Sequence, residues 1–294
     1  MICACIDIGS NTTRLLVADA GEGRLRELVT QRAFTRIGKS LGNGALIPAE
    51  KIAETAEVVR TQAAVAAEVG AEQIVAVATA AIRTARNRDE LASAVRDAGG
   101  MELSILSGEE EARLSFVGAT RTLIDAPAGT VAVIDVGGGS SELAIGEPDG
   151  VMSWCESFRI GSGFLADSYL RSDPPSAGEL DKVRRHVEGT FEGLEPPPAD
   201  TAVAVGGTAT SLRRLVGAEL EHETLERGIR VLSSTPIGEV AERFELDPER
   251  VRLLPAGILI LEAMSDLLGL PLRIARGGLR EGLLLELVAG RRLG

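Results

Sequence analysis

The chain writes one phrase twice. "CIDIGSNTTRLLVAD", from Cys5 to Asp19, and "VAVIDVGGGSSELAIG", from Val131 to Gly146, superpose without a gap once Asp7 is set over Asp135. Gly9 then falls on Gly137, Thr12 on Ser140, Thr13 on Ser141, Leu15 on Leu143 and Val17 on Ile145. Each copy reads as apolar strand, aspartate, glycine turn, hydroxyl residues, apolar strand, which is the pattern of a β-hairpin. Two related α/β lobes facing each other across a cleft would explain the duplication. The repeated turns would then line that cleft from opposite sides.

The rest of the chain alternates apolar runs with helical patterns, as an α/β protein does. Pro48 opens an Ala-rich helix to Val69, and "QIVAVATAAIR" predicts a strand running to Arg83. Asn87 is placed to cap "RDELASAVRDA", which stops at Gly99-Gly100 before the strand "MELSIL". Ser107 then caps "SGEEEARLSFVGAT", with carboxylates in the first turn where the helix dipole favours them. "LIDAPAGT" is the natural boundary, giving lobes 1–124 and 125–294 with a final helix able to pack back on the first. The second half repeats the plan: a helix from Ala177 to Leu194, a Pro196-Pro197-Pro198 break, the strand-turn-helix "TAVAVGGTATSLRRL", the helical "LLPAGILILEAMSDLLG", the strand "PLRIA" and "RGGLREGLLLELV".

Composition narrows the function classes. A length of 294 residues with 45% hydrophobic content suits one large or two ordinary domains with real cores. No run of eighteen apolar residues occurs, and the N-terminus enters a strand pattern at once, so a soluble cytoplasmic protein is expected. A net charge of −12 argues against a broad nucleic-acid or acidic-membrane surface, so an anionic substrate must meet a local basic site. Only Lys39, Lys51 and Lys182 are lysines; the other cations are arginines, which suit bidentate phosphate contacts, although genome bias accounts for most of the excess. Three cysteines, Cys3, Cys5 and Cys155, are too few for a disulfide framework or a four-ligand zinc site, and Cys3 and Cys5 fall on one side of a strand. His186 and His222 are expected at the surface.

A turn of Gly, Ser, Thr and Asn presents backbone N–H groups and hydroxyls that suit phosphate oxygens. An aspartate at the end of the preceding strand is better suited to a hard cation such as Mg²⁺, often through water. Asp7 and Asp135 fit that role, and Glu142 could join them, with Asp135 and Glu142 expected at a solvent-facing turn.

These residues carry a resemblance. "IDIGSNTTRLLVAD", "IDVGGGSSELAIG" and "AVGGTATSL" resemble the phosphate loops and the nucleotide-side loop of the actin, hexokinase and sugar-kinase superfamily, which implies two duplicated actin-like (ribonuclease-H-like) α/β lobes with an interlobe cleft. Within it, "DIGSN", "ATAAIRTARN", "ILSGEEEARLSFVGA", "DVGGGSSEL" and "GGLREGLL" resemble, in that order, the short two-domain form of the exopolyphosphatase/guanosine pentaphosphate phosphohydrolase family. The resemblance implies Glu111, directly before "ARL", as the base that takes a proton from the attacking water, and Arg83 as a phosphate-contacting arginine. It puts Asp135 and Glu142 at a Mg²⁺ or other divalent ion with Asp7 opposite. Gly9, Ser10, Asn11, Thr12, Gly137, Gly138, Gly139, Ser140, Gly207 and Thr208 line the phosphate path.

Three successive residues on a helix point about 100° apart, so at most one of Glu109, Glu110 and Glu111 aims squarely into a narrow site. Arg113 is left to the surface or to local pairing. The chain departs from the family pattern at Ala81, where Ser is common, and at Phe164, where the family carries an arginine. The expected activity is release of terminal phosphate from inorganic polyphosphate or guanosine pentaphosphate, with a homodimer as the candidate assembly. A guanosine tetra- or pentaphosphate-binding regulator with slow hydrolysis, or an ATP-dependent small-molecule kinase, are the alternatives.

Overall fold

The computed structural model describes residues 1–21, 24–41, 45–123 and 127–291. The chain divides into two units: Met1–Thr122 with the chain from Gly277 onward, and Leu123–Arg276. The expected boundary at residues 124 and 125 lies outside the described residues.

The first unit contains β1 (Ile2–Ile8), β2 (Thr13–Gly21), β3 (Arg24–Ala33), α1 (Ile37–Ser40), α2 (Ala49–Glu68), β4 (Gln73–Ala78), α3 (Ala80–Thr84), α4 (Arg88–Gly99), β5 (Leu103–Ile105) and α5 (Gly108–Arg121). The second contains β6 (Val131–Val136), β7 (Ser141–Gly146), β8 (Met152–Phe158), α6 (Ser162–Tyr169), α7 (Ala177–Phe191), β9 (Thr201–Val205), α8 (Gly206–Val216), β10 (Glu219–Leu220), α9 (His222–Ser234), α10 (Ile237–Arg243), α11 (Pro248–Leu268) and β11 (Leu272–Ile274). The last helix, α12 (Leu279–Val288), belongs to the first unit and packs on α5, β1 and β2.

The two sheets share a plan. The first runs β3-β2-β1-β4-β5, and the second, read from its β8 edge, runs β8-β7-β6-β9-β11 with β10 added at the far side. In each, an antiparallel hairpin leads into a parallel strand, β4 on β1 and β9 on β6. A parallel partner requires a crossover, which α2 supplies in the first unit and α6 with α7 in the second.

Alternation along β1 and β2 sorts the first unit's core onto two faces. Ala4, Ile6, Ile8, Leu15 and Val17 pack with residues of α2 and α4, such as Val59 and Leu91. Cys3, Cys5, Leu16 and Ala18 pack with Leu114 of α5 and Leu283 and Leu284 of α12. Cys3 and Cys5 thus share one strand face, as the sequence pattern implies, and burial pushes the Cys5 thiol well above its ordinary value, with the Asp7 carboxylate adding to the effect. The second unit gathers one core, in which α11 is buried nearly all round because it packs against β6, α6, α7 and α9.

Several local expectations are corrected. The strand expected to reach Arg83 ends at Ala78, because its parallel partner β1 ends at Ile8, and the chain turns at Thr79 into α3. The helix begun at Ala177 stops at Phe191, three residues before Leu194. Asn87 stands at the N-cap of α4 but makes no capping bond: its Oδ1 accepts from the Ile47 N–H at 2.8 Å and its Nδ2 donates to the Ile47 carbonyl at 3.0 Å. His186 is half-buried, hydrogen-bonded to the Tyr169 hydroxyl at 2.8 Å, while His222 is exposed.

Candidate active site

The duplicated phrase folds as two superposable hairpins. β1 and β2 pair Asp7 with Arg14 and Ile8 with Thr13; β6 and β7 pair Asp135 with Glu142 and Val136 with Ser141. The turns close identically, Gly9 N–H to Thr12 carbonyl at 2.9 Å and Gly137 N–H to Ser140 carbonyl at 3.0 Å. Each turn is also held from outside by the segment that follows the third strand. Arg36 and Gly38 donate their N–H groups to the carbonyls of Asn11 and Ser10 at 3.0 and 2.7 Å. Ser162 and Phe164 donate theirs to Gly137 and Gly138, both at 2.9 Å. Glycine is required for this closeness: a Cβ on Gly161 would lie 2.5 Å from the Gly139 nitrogen.

The first turn offers side chains. Ser10 and Thr12 are buried, Thr12 Oγ1 accepts from Arg14 Nε at 3.1 Å, and Asn11 Nδ2 is buried without a hydrogen-bond partner among the described residues. An unsatisfied buried donor costs about 1–3 kcal/mol, so Asn11 suits an incoming acceptor. The second turn offers mainly backbone, from Gly138 and Gly139, since the Gly137 N–H closes the turn, with Ser140 buried.

Asp135 and Glu142 are cross-strand neighbours, so their side chains share one face of the sheet. Glu142 was expected at a solvent-facing turn; it is 4% exposed, within β7, and its Oε1 accepts from Ser157 Oγ of the neighbouring β8 at 2.9 Å. Gly206, at φ +84°, begins α8 so close to Asp135 Oδ1 that any Cβ there would collide with it. Two opposed carboxylates repel unless a cation or proton stands with them, and that chemistry fits a hard divalent ion. Among the described residues no group of three or more His, Cys, Asp and Glu side chains is gathered for a metal. Gly207 follows Gly206, and Thr208 has its side chain buried against Gly257 of α11.

The three glutamates of "GEEEARL" have three fates. Glu109 is exposed. Glu110 completes a capping box, its carboxylate accepting from the Ser107 N–H at 2.7 Å while its own N–H donates to Ser107 Oγ at 3.1 Å. Glu111 is 4% exposed and paired with Arg83 Nη1, which also donates to the Leu106 carbonyl at 2.8 Å. A guanidinium carries five donors, so Arg83 keeps others for a ligand.

α12 seats the helix that carries Glu111. Gly118, Gly278 and Gly282 bring the two backbones together: a Cβ on Gly282 would overlap the Leu114 carbonyl, and one on Gly118 the Gly278 carbonyl. Arg113, expected to remain at the surface or pair locally, is ion-paired to the buried Glu286 of α12, 173 residues away. Thr122 Oγ1 accepts from the Gly277 N–H at 3.0 Å at the far end of the same contact. The sequence reading missed Arg14, Ser157 and Glu286; the gap-free overlay does set Arg14 over Glu142, which was the available signal for that contrast.

Residues 16–290 match the model of the Ppx/GppA phosphatase family. The chain belongs to that family. As a member it is a hydrolase, and the kinase alternative is not favoured. Exopolyphosphatase 1 of Mycobacterium leprae is 31% identical over 302 aligned positions, covering 96% of this chain and 88% of that protein. The guanosine-5'-triphosphate,3'-diphosphate pyrophosphatase of Photobacterium profundum is 27% identical, covering 98% of this chain and 60% of its own length. The crystal structure of the Aquifex aeolicus Ppx/GppA family member matches with a TM-score of 0.83 at 28% identity, over 100% of this chain and 99% of that one. The fold class expected from the sequence, two duplicated actin-like α/β lobes, is that of the family.

Proposed function

We propose that this hydrolase releases a terminal phosphate from inorganic polyphosphate or from guanosine pentaphosphate, by attack of water on the terminal phosphorus. The observation that carries this reading is the second hairpin, where Asp135 and Glu142 oppose each other beside a turn of bare glycines. Asp135 and Glu142 would hold Mg²⁺ or another divalent cation, with Asp7 contributing through water; when bound, the ion neutralises charge on phosphoryl oxygens. Asn11 Nδ2, the hydroxyls of Ser10, Thr12 and Ser140, and the amides of Gly138, Gly139, Gly207 and Thr208 bind the phosphates, while Gly9 and Gly137, whose N–H groups close the turns, line the path.

Glu111 accepts the proton of the attacking water. The water oxygen then bonds to phosphorus as the bridging P–O bond breaks, and the electron pair leaves with the shortened chain. Arg83 fixes the Glu111 carboxylate and gives its remaining donors to phosphoryl oxygens. Among the described residues no helix is long and apolar enough to cross a membrane. A cytoplasmic location and a homodimer complete the proposal, to be checked by cell fractionation and light scattering.

The test is phosphate release from tripolyphosphate, long polyphosphate and guanosine pentaphosphate, with Mg²⁺ and with excess chelator. Mg²⁺-dependent release from at least one substrate supports the reading; release from none, or equal release in chelator, contradicts it.

A further inference from the structure

We infer that Phe164 is a stacking platform for the base of a nucleotide substrate, and so sets the preference between a nucleoside polyphosphate and a bare phosphate chain. The inference rests on the phosphohydrolase reading above and names a determinant of its substrate choice.

Four large apolar side chains are exposed among the described residues: Met1, Leu46, Val151 and Phe164. Met1 is at the terminus, and Leu46 and Val151 lie in loops. Phe164 is the aromatic one, 45% exposed, in a chain with only six Phe, one Tyr and one Trp. A lone exposed apolar residue needs no explanation; its contact with the second hairpin turn and its bracing do.

Phe164 lies in the first turn of α6 and abuts the second hairpin turn, its N–H donating to the Gly138 carbonyl at 2.9 Å. The preceding residue, Gly163, comes so near that a Cβ there would lie 2.9 Å from the same carbonyl oxygen. The Phe164 ring meets His186 with centroids 5.9 Å apart and planes at 63°. His186 is fixed in turn by the Tyr169 hydroxyl at 2.8 Å. The phenyl group is therefore braced, yet nearly half of it remains open to a ligand.

A bare phosphate chain has no apolar or π surface and gains nothing from such a ring. A purine does, since base–aromatic stacking needs only a π face and tolerates any base. The backbone of Phe164 is tied to the turn that would hold phosphate, which brings the helix start that carries the phenyl group up to that turn.

The experiment measures kcat/KM for guanosine pentaphosphate and for inorganic tripolyphosphate, together with calorimetric binding of guanosine tetraphosphate, in the wild type, Phe164→Leu and Phe164→Trp. Leucine keeps the apolar bulk and loses the π face; tryptophan keeps the face. The ratio of nucleotide to tripolyphosphate kcat/KM should fall about tenfold in Phe164→Leu, through KM, and recover in Phe164→Trp. An unmoved ratio, or a tryptophan variant as impaired as the leucine one, would overturn the platform. So would a wild type that hydrolyses tripolyphosphate but neither binds nor cleaves the nucleotides, and that outcome leaves the phosphohydrolase reading standing. Phe164-dependent binding of guanosine tetraphosphate with no phosphate release from either substrate would instead sink the phosphohydrolase reading and keep the platform.

Discussion

The two hairpins have the same register, the same closing hydrogen bond and the same outside support, and they differ in what faces the aspartate. Asp7 has Arg14 across the ladder, whereas Asp135 has Glu142. One copy places opposite charges at that cross-strand position; the other places like charges there, a carboxylate pair that suits a hard cation. The turns divide in the same way, since Ser10 and Asn11 give the first turn side-chain donors where Gly138 and Gly139 give the second bare backbone. The two copies share a scaffold, and they part at the cross-strand position that holds Arg14 in one and Glu142 in the other.

The largest expected effect breaks the comparison directly. Asp135→Ala or Glu142→Ala should lower turnover on the order of 10⁴-fold, the several kcal/mol that a charge-neutralising ion supplies. Asp7→Asn, with Arg14 as its neighbour, should cost only about tenfold. Steady-state phosphate release measures both, and equal losses would erase the distinction between the hairpins.

Glu111→Gln should lower kcat by about 10²- to 10⁴-fold with KM little changed, the usual worth of a positioned base. Glu109→Gln, at an exposed site, and Glu110→Gln, whose amide oxygen keeps the capping-box acceptor, should both leave turnover nearly unchanged. Loss of phosphate release in Glu110→Gln with Glu111→Gln intact would reassign the base.

Smaller effects separate the seat of Glu111 from an ordinary helix surface. Gly282→Ala pushes α12 off the Leu114 carbonyl and should destabilise by about 1–3 kcal/mol, as overpacking does. Gly189→Ala, within α7 of the second unit and with nothing within 4 Å of its Cβ position, should stabilise by about 0.5–1 kcal/mol. Denaturant melts measure the pair, and two changes of the same sign would contradict the packing argument.

The smallest effect concerns acid. The Ser176 N–H, with the N–H groups of Arg171 and Ser172 and the Ser176 hydroxyl, holds the Glu179 carboxyl down at about 2. A depressed carboxyl contributes its stability above the ordinary value of 4.5 and loses it as pH falls toward about 2. Glu179→Gln should therefore cost about 1 kcal/mol at neutral pH and progressively less as the pH falls below 4.5 and through about 2; a pH-independent difference would contradict this.

Much of this was legible in the sequence because the signals were local. The hairpins, the Ser107 cap and the shared face of Cys3 and Cys5 follow from period-two alternation and turn chemistry. Glu111's separation from its neighbours follows from helical geometry, although its partner Arg83 came only through the family resemblance. What stayed hidden depends on contacts across long separations. Arg113 was left to the surface or to local pairing because Glu286 lies 173 residues away. Glu142 was placed at a solvent-facing turn because a one-strand view does not show Ser157 of β8 beside it. The Ala-rich run after Ala78 carries no stop signal, since the strand ends only where its partner does.

Calorimetric titration of Mg²⁺ into the wild type, Asp135→Asn, Glu142→Gln and Asp7→Asn tests most directly whether the second hairpin is the cation site. The account predicts that affinity weakens about 100-fold in Asp135→Asn and Glu142→Gln and changes by less than about tenfold in Asp7→Asn. Wild-type affinity in Asp135→Asn, or a loss in Asp7→Asn as large as in the other two, would contradict it.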